Sequence, residues 1–324
     1  MAHAVGILLL DGFTDSGPAI TLDVLRAANA LVRRKLFRVA LLSERGGSAR
    51  AASGSRVTTQ GRWRDASRFE TVLVPGRWAE SAEDLPRWLA RPETRRAANL
   101  VRSLHRKRQS LGASCGGTFL LAEAGVLDGR TATTTWWAAE VFRERFPRVQ
   151  LDVDRALVID GHVATAGAVF AAADLALSMV TRVGGPELAQ QVARVLLLDG
   201  HVAQTPYVML RQSTQRGLAQ NAEAWVRQHV AEAPSVVELA KAMKLSERSL
   251  ARHLHASVGL SPVAFMQRVR LEVATHLLET TSLAVEEVSE RVGYAESATL
   301  RKLFRSVLHT SPKEVRTRAR VLHA

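Results

Sequence analysis

The sequence predicts two domains of different fold class, an N-terminal α/β domain with a doubly wound sheet and an all-α C-terminal domain. The 324 residues exceed the usual size of one domain. In the first half, short apolar runs alternate with amphipathic stretches, as in α/β proteins. From Leu218 onward every periodic segment has helical spacing. The change of class near residues 200–216 therefore marks a domain boundary.

Five apolar runs in the first half are predicted strands, at 5–10, 37–43, 71–74, 110–114 and 157–160. Helices are predicted at 20–34, 85–106 and 186–198, and a polar connector at 199–214. Nearly continuous apolar strands alternating with helices are typical of a mainly parallel sheet covered on both faces. Glycines follow several of the runs, where such sheets bind ligands: Gly76, Gly116, Gly117, Gly161 and Gly167.

The composition favours a polyanionic partner and excludes several protein classes. Lys and Arg number 44 against 31 Asp and Glu, a formal charge of +13 spread over both halves. Such a balance favours nucleic acid, although an Arg-rich composition alone can produce it. One cysteine permits neither an internal disulfide nor a multi-cysteine zinc site. With no bilayer-length apolar run and no signal peptide, we expect a cytoplasmic chain without membrane, metal or cofactor.

The second half contains an internal repeat. Residues 238–245 and 287–294 each read as a short helix entering a tight turn, and each is followed by a second helical segment, 247–257 and 296–307. Ser-Pro pairs close both units, at Ser261-Pro262 and Ser311-Pro312. The offset is 49 residues at the first helices and 50 at the Ser-Pro pairs, which indicates one residue inserted late in the unit. Helix, tight turn, helix is the helix-turn-helix arrangement.

A helix at 262–278 is predicted to join the two units. Its 17 residues give about 25 Å. Two recognition helices held on one face by such a rod would lie about one turn of B-DNA apart, roughly 34 Å. Outward positions on the second helix of each unit are the candidate DNA contacts, because Arg can bond guanine and small residues can meet a thymine methyl: Arg248, Ser249, Ala251, Arg252 and His253, then Ser297, Ala298, Arg301 and Lys302. The alternative is a solvated basic face on an ordinary helical domain.

Residues 218–324 resemble the DNA-binding domain of AraC-type transcription regulators. The resemblance rests on Leu239-Ala240, Gly259-Leu260-Ser261-Pro262, Arg270-Leu271, Val292-Gly293-Tyr294 and Ser311-Pro312. It implies base contacts from Arg248, Ala251 and Arg252 in the first unit and from Ser297, Ala298, Arg301 and Lys302 in the second. Two residues depart from the pattern: Lys244 replaces the first turn's glycine, and Glu296 replaces a serine, so that Ser297 is expected to cap its helix instead.

Cys115 stands in a strand, sharp turn and helix start at residues 111–119. A helix N-terminus is expected to lower the pKa of its thiol, and strained turns of this kind expose nucleophiles. The stretch 112–116 also fits a pattern in which Ser114 is the nucleophile. A base must lie within hydrogen-bond reach, and His105, His162 and His201 are the candidates.

Residues 1–182 resemble the PfpI-like branch of the class I glutamine-amidotransferase-like superfamily. Motifs that carry the resemblance include Asp11-Gly12-Phe13, Cys115-x-Gly117, 121–129 and Thr165-Ala166-Gly167. It implies a flavodoxin-like fold. Most such sensor domains have a histidine near the cysteine, where this chain has Thr135, and the nearby acid has no clear counterpart around Asp15. The interpretation is therefore a ligand pocket without catalytic residues, lined by Gly76, Cys115, Gly116, Thr135 and Gly167.

Together the two resemblances predict a transcription factor with a sensor and dimerisation domain at 1–184, a connecting helix and linker at 185–215 and a DNA-binding domain at 216–324. Its expected partners are double-stranded DNA, a small-molecule effector, a second copy of the chain and, as a further candidate, RNA polymerase. A dimerisation scaffold without ligand is one alternative for the first domain. The other is a cysteine-dependent amidase or hydrolase.

Overall fold

The computed structural model describes residues 2–198, 218–258, 260–308 and 310–322. The chain divides into two compact units, Met1–Gln204 and Thr205–Ala324, and each is described by itself. The connector predicted at 199–214 lies outside the described residues.

The first unit is built on a mixed sheet. Its strands are β1 (His3–Leu8), β2 (Phe37–Ser43), β3 (Gly47–Arg50), β4 (Arg56–Thr59), β5 (Gly61–Arg62), β6 (Thr71–Val74), β7 (Ser110–Ser114), β8 (Thr131–Ala132), β9 (Gln150–Leu151), β10 (Leu157–Asp160) and β11 (Val163–Ala166). Seven of them form one sheet in the order β10-β11-β7-β6-β1-β2-β5. All neighbours in it are parallel except β10 and β11, which form an antiparallel pair at one edge.

Helices cover both faces of this sheet. They are α1 (Ser16–Leu31), α2 (Asp84–Leu89), α3 (Pro92–Arg106), α4 (Gly117–Glu123), α5 (Ala139–Arg145), α6 (Ala172–Gly184) and α7 (Pro186–Val195). One hydrophobic cluster joins the sheet to α1, α6 and α7, and a second joins it to α2, α3, α4 and α5. The doubly wound, flavodoxin-like class predicted from the sequence is confirmed, with a mixed rather than wholly parallel sheet.

Four of the five predicted strands have the observed bounds, and the first begins and ends two residues earlier than predicted. The helix predicted at 85–106 is two helices, because Pro92 starts a new helix and the chain at Arg91 is extended. The sequence did not predict the short strands β3, β4, β5, β8 and β9, nor strand β11. It lies between β7 and β10 in the sheet and brings Gly167 to the same edge as the end of β7.

The second unit is helical in the part that the structure describes. Its helices are α8 (Leu218–Gln228), α9 (Val236–Ala242), α10 (Glu247–Val258), α11 (Pro262–Thr280), α12 (Val285–Arg291), α13 (Ser297–Val307) and α14 (Pro312–Leu322). Two hydrophobic clusters form, one around α8, α9 and α10 and the other around α12, α13 and α14. Helix α11 contributes side chains to both.

Candidate functional site

Cys115 occupies the sharp turn between β7 and α4. Its φ is 53°, a left-handed conformation that L-residues seldom adopt. Gly117 begins the helix where there is no room for a side chain, since a Cβ there would lie 2.6 Å from the carbonyl oxygen of Val74. Ser114 is the last residue of the strand, so the residue at the turn is Cys115.

The five residues proposed for a ligand pocket come together around this turn. A Cβ on Gly76 would lie 2.9 Å from the Cβ of Cys115. The N–H of Cys115 donates to the carbonyl of Ala166, next to Gly167, at 2.9 Å. All five residues, Gly116 and Thr135 included, are buried, and Cys115 is only 3% exposed. A ligand would therefore reach the thiol only after the surrounding loops move.

Burial raises the pKa of the Cys115 thiol to about 11. The N–H of Gly116 and the hydroxyl of Thr135 act in the opposite direction with smaller effect. The expectation of a lowered pKa at the helix start is wrong, because desolvation of the thiolate outweighs these donors. The protonated thiol is a weak nucleophile.

The candidate bases His105 and His162 lie at the opposite end of β7. Their rings stack with centroids 5.1 Å apart, and burial lowers the pKa of both. The carbonyl of His162 accepts from the N–H of Leu111, four residues before Cys115. At about 3.3 Å per strand residue this is roughly 13 Å from the thiol, too far for proton transfer. His201 lies outside the described residues.

The carboxylate of Asp15, considered above as the acid near the cysteine, is bound to Ser53 instead. It accepts from the N–H of Ser53 at 3.2 Å and from the Ser53 hydroxyl at 2.5 Å. Thr14, one residue earlier, donates its hydroxyl to the carbonyl of Gly76 at 3.2 Å. No sequence motif singles out Thr14, so sequence reasoning missed it.

In the second unit, α9 and α10 form the first helix-turn-helix. Ser235 caps α9 through a capping box with Glu238, in which each side chain bonds the other residue's N–H. Lys244 in the turn has a φ of 56°, so the left-handed conformation expected there is present without glycine. Ser246 accepts from the N–H of Ser249 at 3.2 Å and so caps α10.

Helices α12 and α13 form the second helix-turn-helix. Its turn, at 292–296, is one residue longer than the turn at 243–246, so the inserted residue lies between the helices and not late in the unit. Gly293 has a φ of 80°. Glu296 is the N-cap of α13 and makes no side-chain cap bond, and Ser297 is already the first helical residue. The expectation that Ser297 caps the helix is therefore wrong, because Ser297 lies inside the helix and the cap position is occupied by Glu296.

The outward side of α10 is basic. Leu250 and Leu254 are fully buried in the first cluster. Arg248, Arg252 and His253 are exposed, as predicted, whereas Ser249 and Ala251 are half-buried. Ser249 lies against the cap, with its hydroxyl 3.1 Å from that of Ser246.

The outward side of α13 is also basic, but one of its arginines is paired. Leu300 and Phe304 are fully buried, while Ala298, Arg301 and Lys302 are exposed. The guanidinium of Arg301 donates to Glu286 of α12 at 2.7 Å and to the hydroxyl of Ser297 at 3.0 Å. Sequence reasoning missed this pair because the two residues lie in different helices.

Helix α11 joins the two helix-turn-helix motifs as one continuous helix. Its 19 residues give about 28 Å, slightly more than predicted. Phe265, Met266 and Val269 belong to the first cluster, and Leu271 and Ala274 to the second. At about 100° per residue these sets project from different sides of the helix. Both helix-turn-helix units are therefore fixed to one rigid element.

Comparisons with known proteins agree with this architecture. The model of a helix-turn-helix domain matches residues 239–318, and that of the DJ-1/PfpI family matches residues 3–182, more than half of the chain. The HTH-type transcriptional regulator CdhR of Pseudomonas aeruginosa is 30% identical over 321 residues, 98% of this chain and 92% of that protein. The chain is an HTH-type transcriptional regulator with a DJ-1/PfpI domain.

A second curated relative agrees with this assignment, and two solved structures share the fold of the first unit. The HTH-type transcriptional regulator GlxA of Rhizobium meliloti is 27% identical, with 97% of this chain and 96% of that protein covered. An AraC family transcriptional regulator from Pseudomonas putida has a similar fold, with a TM-score of 0.50 and 23% identity over 60% of this chain and 99% of that one. Drosophila melanogaster DJ-1beta has a TM-score of 0.50 and 21% identity over 61% of this chain and all of that one. The predicted resemblance to AraC-type regulators is confirmed.

Among the described residues of this regulator, none of the helices is long and apolar enough to cross a bilayer.

Proposed function

We propose that this regulator binds specific duplex DNA by inserting α10 and α13 into two successive major grooves. The observation that carries the proposal is that the second helix of each unit buries its leucines and phenylalanine and turns a basic side to solvent. Both helices are fixed to α11 in one compact unit, so both grooves can be read by one chain. In this proposal 216–324 is the DNA-binding domain, 1–184 the sensor and 185–215 the connector.

Arg252 and Lys302 are the proposed base contacts at the centres of the two helices. Both are exposed, and neither side chain is needed for the hydrophobic clusters. An Arg that bonds a guanine contributes about 1–3 kcal/mol of discrimination. Arg248, Ser249, Ala251 and His253 on α10, with Ser297, Ala298 and Arg301 on α13, are proposed as the surrounding contacts.

The test is titration of fluorescently labelled duplexes with Arg252→Ala and Lys302→Ala. A cognate site is first selected from random duplexes with the unchanged protein. Arg252→Ala is expected to weaken binding to that site by about 5- to 150-fold and to relax base preference at one position. Arg291→Ala, an exposed residue on α12 rather than on a recognition helix, is the matched control for lost charge. Equal, small losses on cognate and random duplexes would contradict direct base readout.

For the first unit we propose a sensor that binds a small effector around Cys115 and pairs with a second copy of the chain in the cytoplasm. The proposal is supported by the proximity of Gly76, Cys115 and Thr135, which lie together at the carboxyl ends of the strands; because they are buried, ligand binding requires the surrounding loops to move. An effector acts only through its different affinities for two arrangements of the protein. Contact with RNA polymerase belongs to the same proposal. Sedimentation velocity of the full chain tests the dimer, and a single species of monomer mass at micromolar concentration would refute it.

We propose further that Cys115 performs no catalytic turnover. The raised pKa of its thiol and the distance of His105 and His162 support this. The test is a promoter-reporter assay with Cys115→Ala. An amidase or hydrolase role predicts loss of a measurable activity in that variant, whereas the sensor proposal allows promoter control without the thiol.

A further inference from the structure

The two helix-turn-helix units also touch each other away from α11. The connection between α8 and α9, residues 230–234, packs against the turn of the second unit. A Cβ on Gly293 would lie 2.6 Å from the carbonyl oxygen of Val230 and 3.0 Å from the Cβ of Ala233. Ala233 has a φ of 51°, a strained conformation that carries the chain past this contact. The segment that precedes the first helix-turn-helix thus packs directly against the turn of the second helix-turn-helix.

Arg270 joins the same two parts. It stands on α11 between Val269, which packs in the first cluster, and Leu271, which packs in the second. Its guanidinium donates to the carbonyl of Pro234, the residue before the cap of α9, at 3.1 Å. The same guanidinium lies 5.4 Å from the ring centroid of Tyr294, in the turn of the second unit. Planar guanidinium groups are well suited to such combined hydrogen bonding and stacking.

We propose that Arg270 is a positioning residue that sets the spacing of the two half-sites the regulator reads in DNA. This rests on the proposed function. Each added base pair moves one half-site by about 3.4 Å and turns it by about 34–36° around the duplex. A pair of recognition helices held rigidly can match one spacing only. Arg270 contacts both the residue before the cap of α9 and the turn before α13. These contacts hold the second helix-turn-helix against rotation relative to the first helix-turn-helix.

The experiment is selection from a random duplex library with the full chain, followed by sequencing, for the unchanged protein and for Arg270→Met. Methionine keeps an unbranched side chain on α11 but can neither donate to Pro234 nor place a charge over Tyr294. We expect the unchanged protein to enrich two half-sites at one spacing. Arg270→Met is expected to enrich the same half-site sequences at two or more spacings. In direct titration, a one-base-pair insertion should weaken the unchanged protein about 10-fold or more and the variant about threefold or less.

Two further variants separate positioning from general stability. Arg270→Lys keeps a cation and a donor and should restore a single spacing in part, and Tyr294→Leu should broaden the spacing without altering either half-site. Arg252→Ala, in contrast, should change a half-site sequence and leave the spacing intact. If Arg270→Met fails to fold, the Tyr294→Leu result decides. One spacing in both folded variants overturns the proposal, and failure of the unchanged protein to enrich any paired motif overturns the proposed function instead.

Discussion

Substitution of Gly293 by alanine tests the packing between the two helix-turn-helix units most directly. An L-residue in the left-handed conformation found there loses about 1–2 kcal/mol. The new methyl group would lie 2.6 Å from the carbonyl oxygen of Val230, so the backbone must shift, at a further cost of about 1–3 kcal/mol. The lower entropy of the unfolded variant offsets about 0.4–1 kcal/mol. We expect a net loss of about 2–4 kcal/mol in the stability of the second helix-turn-helix.

Hydrogen exchange followed by mass spectrometry measures this locally in the full chain. The buried amides of α12 and α13 are expected to exchange at least about 30-fold faster in Gly293→Ala, since about 1.4 kcal/mol corresponds to a factor of ten. Lys244→Ala is the matched control, because Lys244 already has a left-handed conformation without glycine. It should change exchange in α9 and α10 by less than about twofold. Exchange in α12 and α13 within twofold of the unchanged protein would refute the steric reasoning.

Four further outcomes are expected. Glu296→Ser should stabilise α13 by about 0.5–1 kcal/mol in thermal unfolding, and Ser246→Ala should destabilise α10 by a similar amount, because only the latter helix has a side-chain cap. The pKa of Cys115 is about 11 in the folded protein against a usual 9.0. The buried neutral thiol therefore contributes its full stabilisation of the folded state below pH 9, and this contribution is lost as the pH rises through 11. Chemical unfolding at pH 8 and pH 11 should show about 2–3 kcal/mol more alkaline loss in the unchanged protein than in its alanine variant, and equal losses would contradict the burial of the thiol. Glu286→Gln should release Arg301 and strengthen binding to random duplex up to about fivefold, and unchanged affinity would show that the pair does not compete with DNA.

The sequence predicted the fold class and five of the seven strands of the main sheet, because those features follow from local patterns. Apolar runs of strand length, such as that ending at Ser114, predict buried strands wherever they lie in the sheet. Strand β11 was not predicted because its four residues resemble part of a glycine-rich loop. Only its pairing with β7 and β10 makes it a strand.

The candidate site was predicted in its residues but not in its contacts. Helical spacing alone separates buried Leu250 and Leu254 from exposed Arg252. The pairing of Arg301 with Glu286 joins different helices and has no local pattern. Thr135 was expected beside the cysteine through the resemblance to the PfpI-like family, whereas the direction of the thiol's pKa followed from burial, which sequence does not report.

By itself the sequence determined that this regulator has two tandem helix-turn-helix units on a shared helix, because turn residues and helical periodicity depend only on residues that are close in the sequence. Only the tertiary structure decided how the units meet, with Arg270 between Pro234 and Tyr294 and Gly293 against Val230. Contacts between residues 24 to 63 positions apart depend on the packing of whole helices, and the same local patterns would be compatible with many such arrangements.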